Sequence, residues 1–210
     1  MGPDVRTTFI HAVRHAQTDF GAEQRYAGSL DVDLSDKGIT DAILARNALA
    51  NEHYDVVLSS PLLRARRTAE LLRPGIRPKI DDRLVERNFG KLEGLTWTEV
   101  DSFDPPILFI EVGGEHHSVN PPGAEAFEDV WYRARAVADD LLVRYAGQRL
   151  LLVAHSVFLQ MFTGALIGSS CIESLALHPG NLELAEFELV DRDLVGHGTR
   201  SLVEETDRGF

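Results

Sequence analysis

Three short stretches set reactive side chains directly behind apolar runs. Phe9-Ile-His-Ala-Val13 leads into Arg14-His15, Val56-Val-Leu-Ser-Ser60 is followed by Arg64, and Leu150-Leu-Leu-Val-Ala154 ends on His155-Ser156. A neutral imidazole offers a free lone pair and can exchange a proton near pH 7. A guanidinium is a permanent cation with several donors, suited to an anionic ligand. Each residue also has an ordinary reading. A lone histidine after a strand is more often structural than catalytic, Arg14 can be a surface charge, Arg64, Arg66 and Arg67 can form a solvated helix face, and His155 can cap the helix that follows. At this level both readings stay open.

The elements that would position these groups can be read from periodicity. Phe9–Val13, Val56–Ser60 and Leu150–Ala154 read as buried strands, with a short strand near Lys79–Ile80 and a late one over Leu182–Val190. Ser35-Asp-Lys-Gly-Ile is a helix start with Ser35 as N-cap, and that helix runs to about Asn51 with Ile39, Ile43 and Ala50 at near-helical spacing. Pro61 stands where a first helical residue belongs, opening a helix to about Leu72. Further helices are expected over Ala124–Tyr145 and Val157–Ile167. Residues 99–122, with Pro105-Pro106, Gly113-Gly114 and Pro121-Pro122, read as an irregular excursion over the surface, and residues 1–6 as a loose end. Strands alternating with helices predict a three-layer α/β/α sandwich with a mostly parallel central sheet. The expectation is a single domain over 1–210, with 99–122 as an insert over the active site. In such sheets ligands bind at the carboxyl ends of the strands, where all three polar signals fall.

Composition narrows the classes. The chain has 210 residues, 44% of them hydrophobic, enough for one sizeable core. Its 21 Lys plus Arg against 33 Asp plus Glu give a formal charge of −12, which argues against nucleic-acid binding. The one cysteine, Cys171, excludes an internal disulfide and fits a reducing compartment. Residues 1–8 carry no apolar targeting segment, and no apolar run is long enough to span a bilayer. A cytoplasmic protein without membrane attachment is expected, and a homodimer is compatible with it. His116-His117 lacks companions at metal-ligand spacing, and Cys171 has no arginine six residues on, so neither a metal site nor a cysteine-phosphatase cradle is expected.

Taken in order, the motifs resemble the histidine phosphatase superfamily, the phosphoglycerate-mutase-like group. Val13-Arg-His-Ala-Gln-Thr18 resembles its Arg-His-Gly motif, and Arg25–Gly38 the segment leading into its first helix. Leu58-Ser-Ser-Pro-Leu-Leu-Arg-Ala-Arg-Arg-Thr-Ala69 is similar to its second phosphate-binding motif. Leu84-Val-Glu-Arg-Asn-Phe-Gly-Lys-Leu-Glu-Gly-Leu-Thr96 is similar to the motif with the acid/base glutamate. Pro122-Gly-Ala-Glu-Ala-Phe-Glu128 and Leu152-Val-Ala-His-Ser156 complete the series. The resemblance implies that His15 is the nucleophile, that Arg14, Arg64 and His155 clamp the phosphoryl oxygens, and that Glu86 is the proton donor and acceptor, a role favoured by a raised pKa in a closed pocket. Ala16 and Gln17 replace the family's usual Gly and Glu, Gly21 its frequent Asn, and Ser156 its Gly. Gln17, Thr18 and Ser156 are accordingly expected to help bind phosphate, and Asn181 to lie near the site or in a turn. No metal and no cofactor are implied.

The substrate side favours a phosphatase over a mutase. Residues 92–132 contain no Lys or Arg but nine acidic residues, including Glu93, Glu99, Glu111, Glu115 and Glu125. If that stretch faces the substrate, a polyanion is repelled and a monophosphate with an apolar, neutral or cationic remainder is preferred. If it faces solvent, it says nothing. The alternatives are a phosphoglycerate-type mutase and a non-catalytic phosphate-ester binder.

Overall fold

The computed structural model describes residues 5–203. Of the loose end expected over 1–6, residues 1–4 lie outside the described residues. The chain runs β1 (Thr7–Arg14), α1 (Asp19–Ala22), α2 (Asp36–Ala48), β2 (Val56–Ser59), α3 (Leu63–Leu72), β3 (Lys79–Ile80), β4 (Phe109–Val112), β5 (Glu115–Ser118), α4 (Phe127–Arg144), β6 (Arg149–Ala154), α5 (Ser156–Ile167), α6 (Cys171–Ser174), β7 (Glu183–Val190) and β8 (Asp193–Ser201). The main sheet has the order β3-β2-β6-β1-β7-β8. Its first four strands are parallel, and β7 and β8 add antiparallel pairs.

The apolar runs of β1, β2 and β6 are continuous because both sheet faces are covered. Ile10, Ala12, Leu150, Leu152 and Ala154 pack with α4 and α5. Val13, Val57, Leu151 and Val153 pack with α2 and α3 on the other face. This is the expected three-layer sandwich. Arg14 pairs with Ala154 and Ser59 with Val153, so the carboxyl ends of β1, β2 and β6 finish side by side. The three polar signals are thereby gathered along one edge.

Several boundaries differ from expectation. Helix α2 is capped by Ser35, whose Oγ accepts from Gly38 N at 3.0 Å. Its buried residues are Gly38, Ala42 and Ala45, whereas Ile43 is exposed. The small residues win because the helix lies close to its neighbours: a Cβ on Gly38 would come within 2.1 Å of Gln17 O. Helix α3 begins at Leu63, two residues after Pro61, with Asp31 Oδ1 accepting from Leu63 N. The stretch 99–122 is not wholly irregular. It holds a 3-10 turn, Glu99–Ser102, and the hairpin β4–β5. Gly113 and Gly114 both have positive φ, as a tight hairpin turn requires. Strand β8 was not expected; it is a half-exposed edge strand whose Gly196 and Gly198 break the apolar alternation.

Candidate active site

A cavity of about 700 Å³ opens at the joined ends of β1, β2 and β6. His15 follows β1 directly and is 8% exposed. Its backbone N–H donates to Ala154 O at 3.0 Å, and Asn181 Nδ2 donates to its carbonyl at 2.7 Å. Its Nδ1 lies 2.7 Å from Ala16 O, so Nδ1 carries the proton. That leaves the Nε2 lone pair, which accepts from Arg64 Nε at 3.2 Å. Burial, with Arg64 and Arg14 alongside, holds the imidazole well below its ordinary pKa of 6.5. At pH 7 His15 is neutral and its lone pair is available.

Arg64 is almost completely buried on α3. Besides Nε, its NH1 donates to Leu30 O and its NH2 to Gly28 O, each at 2.7 Å. Arg14 NH1 donates to Pro179 O at 2.9 Å, and its Nε is buried without a partner. Arg66 and Arg67 belong elsewhere on the helix, and Arg67 pairs with Asp33.

His155 is fully buried beside His15, which lines the cavity. Its ring centroid is 5.1 Å from that of His15. Its Nε2 meets Ser60 Oγ at 2.8 Å, and its Nδ1 is buried and unpartnered. Burial and the neighbouring Arg64, His15 and Arg14 push its pKa well down, so it too is neutral. Glu86 is 7% exposed. Oε1 accepts from Arg87 N at 2.8 Å and Phe158 N at 3.2 Å, and Oε2 from Val157 N at 3.2 Å. The last two donors belong to the first turn of α5, where the helix dipole also favours an anion. Arg133 braces the segment from behind, donating to the carbonyls of Arg83, Val85 and Glu86.

The structure therefore brings His15, Arg14, Arg64, Glu86 and His155 together. Thr18 and Ser156 line the cavity as expected. Thr18 Oγ1 is engaged as a helix cap, accepting from Gly21 N at 3.0 Å. Gln17 is not in this wall: its Oε1 accepts from Ser35 Oγ at 3.1 Å, and it borders a separate cavity of about 230 Å³. Side chains alternate along extended chain, so Thr18 faces the site and Gln17 faces away. Ala16 has no positive φ, and its methyl is buried without strain. Of the supporting residues, Ser60 belongs to a polar strand end and Thr68 to the second motif, but the sequence assigns neither of them, nor Arg133, a role of its own. Thr68 Oγ1 accepts from Ala16 N at 3.0 Å and donates to Arg64 O at 2.7 Å, linking the end of β1 to α3.

Of the acidic residues in 92–132, only Glu115 reaches the cavity. Glu93 binds Ser29 and Phe89 N, Glu99 caps Thr96 and pairs with Arg25, and Glu125 pairs with Arg133. The solvent-facing reading of that stretch holds for most of it. Two cations from outside it line the same cavity, Arg25 and Arg87. Arg25 is neutralised by Glu23 and Glu99. Arg87 donates to Glu125 O and Ser118 O at 2.8 Å each and stacks 3.7 Å from the Phe127 ring centroid.

Comparison with known proteins decides the family. The model of the histidine phosphatase superfamily (branch 1) matches residues 10–197. The chain belongs to that superfamily. It is 34% identical over 185 residues to the bifunctional protein Rv2228c of Mycobacterium tuberculosis, covering 86% of this chain and 50% of that protein. It thus spans about half the length of the first curated relatives it matches. It is 32% identical over 160 residues to phosphoserine phosphatase 1 of Hydrogenobacter thermophilus, covering 74% of each chain. Among solved structures, the mycobacterial glucosyl-3-phosphoglycerate phosphatase Rv2419c complexed with VO3 superposes with a TM-score of 0.71 at 25% identity, over 90% of this chain and 99% of that one. Among the described residues no helix is long and apolar enough to cross a membrane, and no group of three or more His, Cys, Asp or Glu is placed to hold a metal ion.

Proposed function

We propose that the protein is a metal-independent phosphomonoester hydrolase, working on a small-molecule monophosphate through a phosphohistidine at His15. The observation that carries this reading is a neutral imidazole whose Nε2 lone pair sits 3.2 Å from Arg64 Nε, beside two buried polar atoms that nothing among the described residues satisfies, Arg14 Nε and His155 Nδ1. Buried polar groups without partners are rare, and a phosphoryl group would supply acceptor oxygens for them. For His155 this needs the proton on Nδ1, which follows if Ser60 donates its hydroxyl hydrogen to Nε2.

The steps are as follows. Arg64 Nε turns from His15 Nε2 to a phosphoryl oxygen, and the freed lone pair attacks phosphorus. The P–O bond to the leaving alcohol breaks, and Glu86, taking the proton that the bound phosphate monoanion brings, passes it to the departing oxygen. Glu86, now a carboxylate, takes a proton from water whose oxygen attacks the phosphohistidine. The P–N bond breaks, its electrons return to Nε2, and phosphate leaves. Arg14, Arg64 and His155 hold the equatorial oxygens, where transition-state charge accumulates. Residues 99–122 serve as a wall over the cavity through Phe109, Glu115 and His117. The low cysteine count fits a cytoplasmic setting.

The test combines trapping with turnover. Acid-labile, base-stable phosphate should appear on His15 during turnover of an aryl phosphate, and EDTA should leave the rate unchanged. His15→Ala, folded by its melting transition, should be inactive and unlabelled. Labelling elsewhere, substantial turnover by that variant or chelator sensitivity would refute the mechanism. Net conversion of 3-phosphoglycerate to 2-phosphoglycerate would identify a mutase, and binding without turnover a non-catalytic relative.

A further inference from the structure

Another part of the cavity wall holds a second group of unsatisfied polar atoms. Gln160, on α5 one turn beyond Ser156, is 2% exposed and lines the cavity. Its Nε2 donates to Leu175 O at 3.2 Å and meets His178 Nδ1 at 3.0 Å. The carbonyl partner fixes the amide orientation, so Oε1 is an acceptor, and it is buried with no partner. Because His178 Nδ1 receives an amide hydrogen, the ring proton of neutral His178 sits on Nε2, a buried donor also without a partner. His117, on β5, stacks on His178 with centroids 5.6 Å apart at 15°, and its Nε2 is likewise unpartnered. Ser118, the next residue on β5, points to the other side of the strand and is not part of this patch. Gln160, His178 and His117 line the same cavity, and these three atoms have no partner among the described residues.

Such a set is costly when dry, since each unpaired buried group forfeits its hydration. It mixes donor and acceptor roles within one patch. An ammonium needs only acceptors and a carboxylate only donors, whereas neighbouring hydroxyl groups offer both. The rest of the wall carries five aromatic residues, Tyr26, Phe89, Trp97, Phe109 and Phe127, beside the already paired Arg25 and the Arg87 guanidinium bonded to backbone carbonyls. Flat apolar surface with a few fixed polar atoms suits a ring that carries hydroxyls on its edge. The cavity, at about 700 Å³, has room well beyond a three-carbon leaving group.

We propose that Gln160, His178 and His117 form a specificity subsite for the leaving group, and that the preferred substrates are monophosphates of uncharged, polyhydroxylated molecules of sugar or polyol type. This rests on the hydrolase reading above. Glu115, the exposed acid beside His117, would further disfavour a carboxylate there.

The experiment compares three alkyl monophosphates, hexose 6-phosphate, cyclohexylmethyl phosphate and phosphoserine, with an aryl phosphate as reference. The first two share a primary phosphate ester on a six-membered ring and differ in their hydroxyls. The wild type should favour the hexose phosphate by about tenfold or more in kcat/KM, the effect of one or two hydrogen bonds. Gln160→Leu, close in volume, and His117→Phe, which keeps the stack, should each reduce that ratio several-fold through KM, leaving the aryl phosphate within about threefold. His117→Phe alters the hairpin and not the core, so it remains informative should Gln160→Leu fail to fold. Equal rates on the two ring phosphates, a preference for phosphoserine, or parallel losses on every substrate would overturn the subsite while leaving the hydrolase reading intact. Absence of turnover on all four, the aryl phosphate included, would remove both.

Discussion

Arg64 offers the sharpest test of the site, because its charge and its donor geometry can be separated. Replacing it with Met removes both, and replacing it with Lys keeps the charge. The buried Gly28 O depends on its NH2, and the carbonyl of the exposed Leu30 on its NH1. Leaving a buried acceptor unpaired costs about 1–3 kcal/mol, and water can replace the partner of Leu30 O, so Met should destabilise the fold by roughly 1–3 kcal/mol. A lysine ammonium can serve Gly28 O, which reduces that loss. Losing a placed transition-state donor costs about 10²–10³ in rate, and both variants should show that loss. The pH profile should distinguish them. Arg64 is the larger of the two charges lowering the His15 pKa. Removing it lets the pKa rise toward 6.5, so the acid limb of kcat/KM, where His15 protonates and its lone pair is lost, moves to higher pH in Arg64→Met. In Arg64→Lys the charge remains and the limb stays near its wild-type position. The assay is kcat/KM for an aryl phosphate across pH 4–8, with melting curves as control. A lysine variant within threefold of wild type, or a methionine variant with an unmoved limb, would refute the assignment.

Ser60→Ala should lower the rate about tenfold, since His155 loses the hydroxyl that places its proton on Nδ1; because the residue acts through His155, the loss should be in kcat, and Ser60→Thr should restore part of it. Glu86→Gln should slow phosphoenzyme formation from an alkyl phosphate far more than from an aryl one in single-turnover measurements, because a phenolate departs without a proton; equal slowing would remove Glu86 from the acid role. Acid should also destabilise the protein. His15 and His155 have depressed pKa values when folded, so below pH 6.5 the unfolded chain binds protons that the folded chain does not, and stability should fall with a slope of up to about 1.4 kcal/mol per pH unit for each histidine. Denaturant midpoints that stay flat from pH 6.5 to 5 would contradict that burial.

The reaction end was legible because its residues interrupt strong local patterns. His15 and His155 each close a run that is apolar on both faces, and such runs can only be buried strands whose ends face the ligand crevice. What sequence reasoning missed depends on contacts between distant segments. Nothing near Ser60 says that it will meet His155, 95 positions away. Gln17 was assigned by neighbourhood, and the alternation of extended chain sends it toward Ser35 instead. The acidic stretch misled for a related reason. Charge along a sequence does not say which carboxylates turn inward, and most here are exposed to solvent, with Glu99 and Glu125 paired to arginines. In α2, apolar size suggested Ile43 as a buried residue, whereas close helix approach selected Ala42 and Ala45.

The two parts of the cavity are built on different terms. Around the reacting groups three residues are held by backbone: Arg64 by two loop carbonyls, His15 by Ala16 O, Glu86 by the first turn of α5. Backbone partners at the junction of strand and helix do not depend on side-chain identity, so this geometry tolerates wide sequence change. The leaving-group wall is held by side chains on a hairpin, on α5 and on the segment before β7: His117 rests on His178, and His178 on Gln160. Any of the three can be replaced without moving a strand end. A chain built this way can keep one phosphoryl chemistry while its leaving-group preference drifts, and the residues that set that preference are the ones the reaction itself leaves unsatisfied.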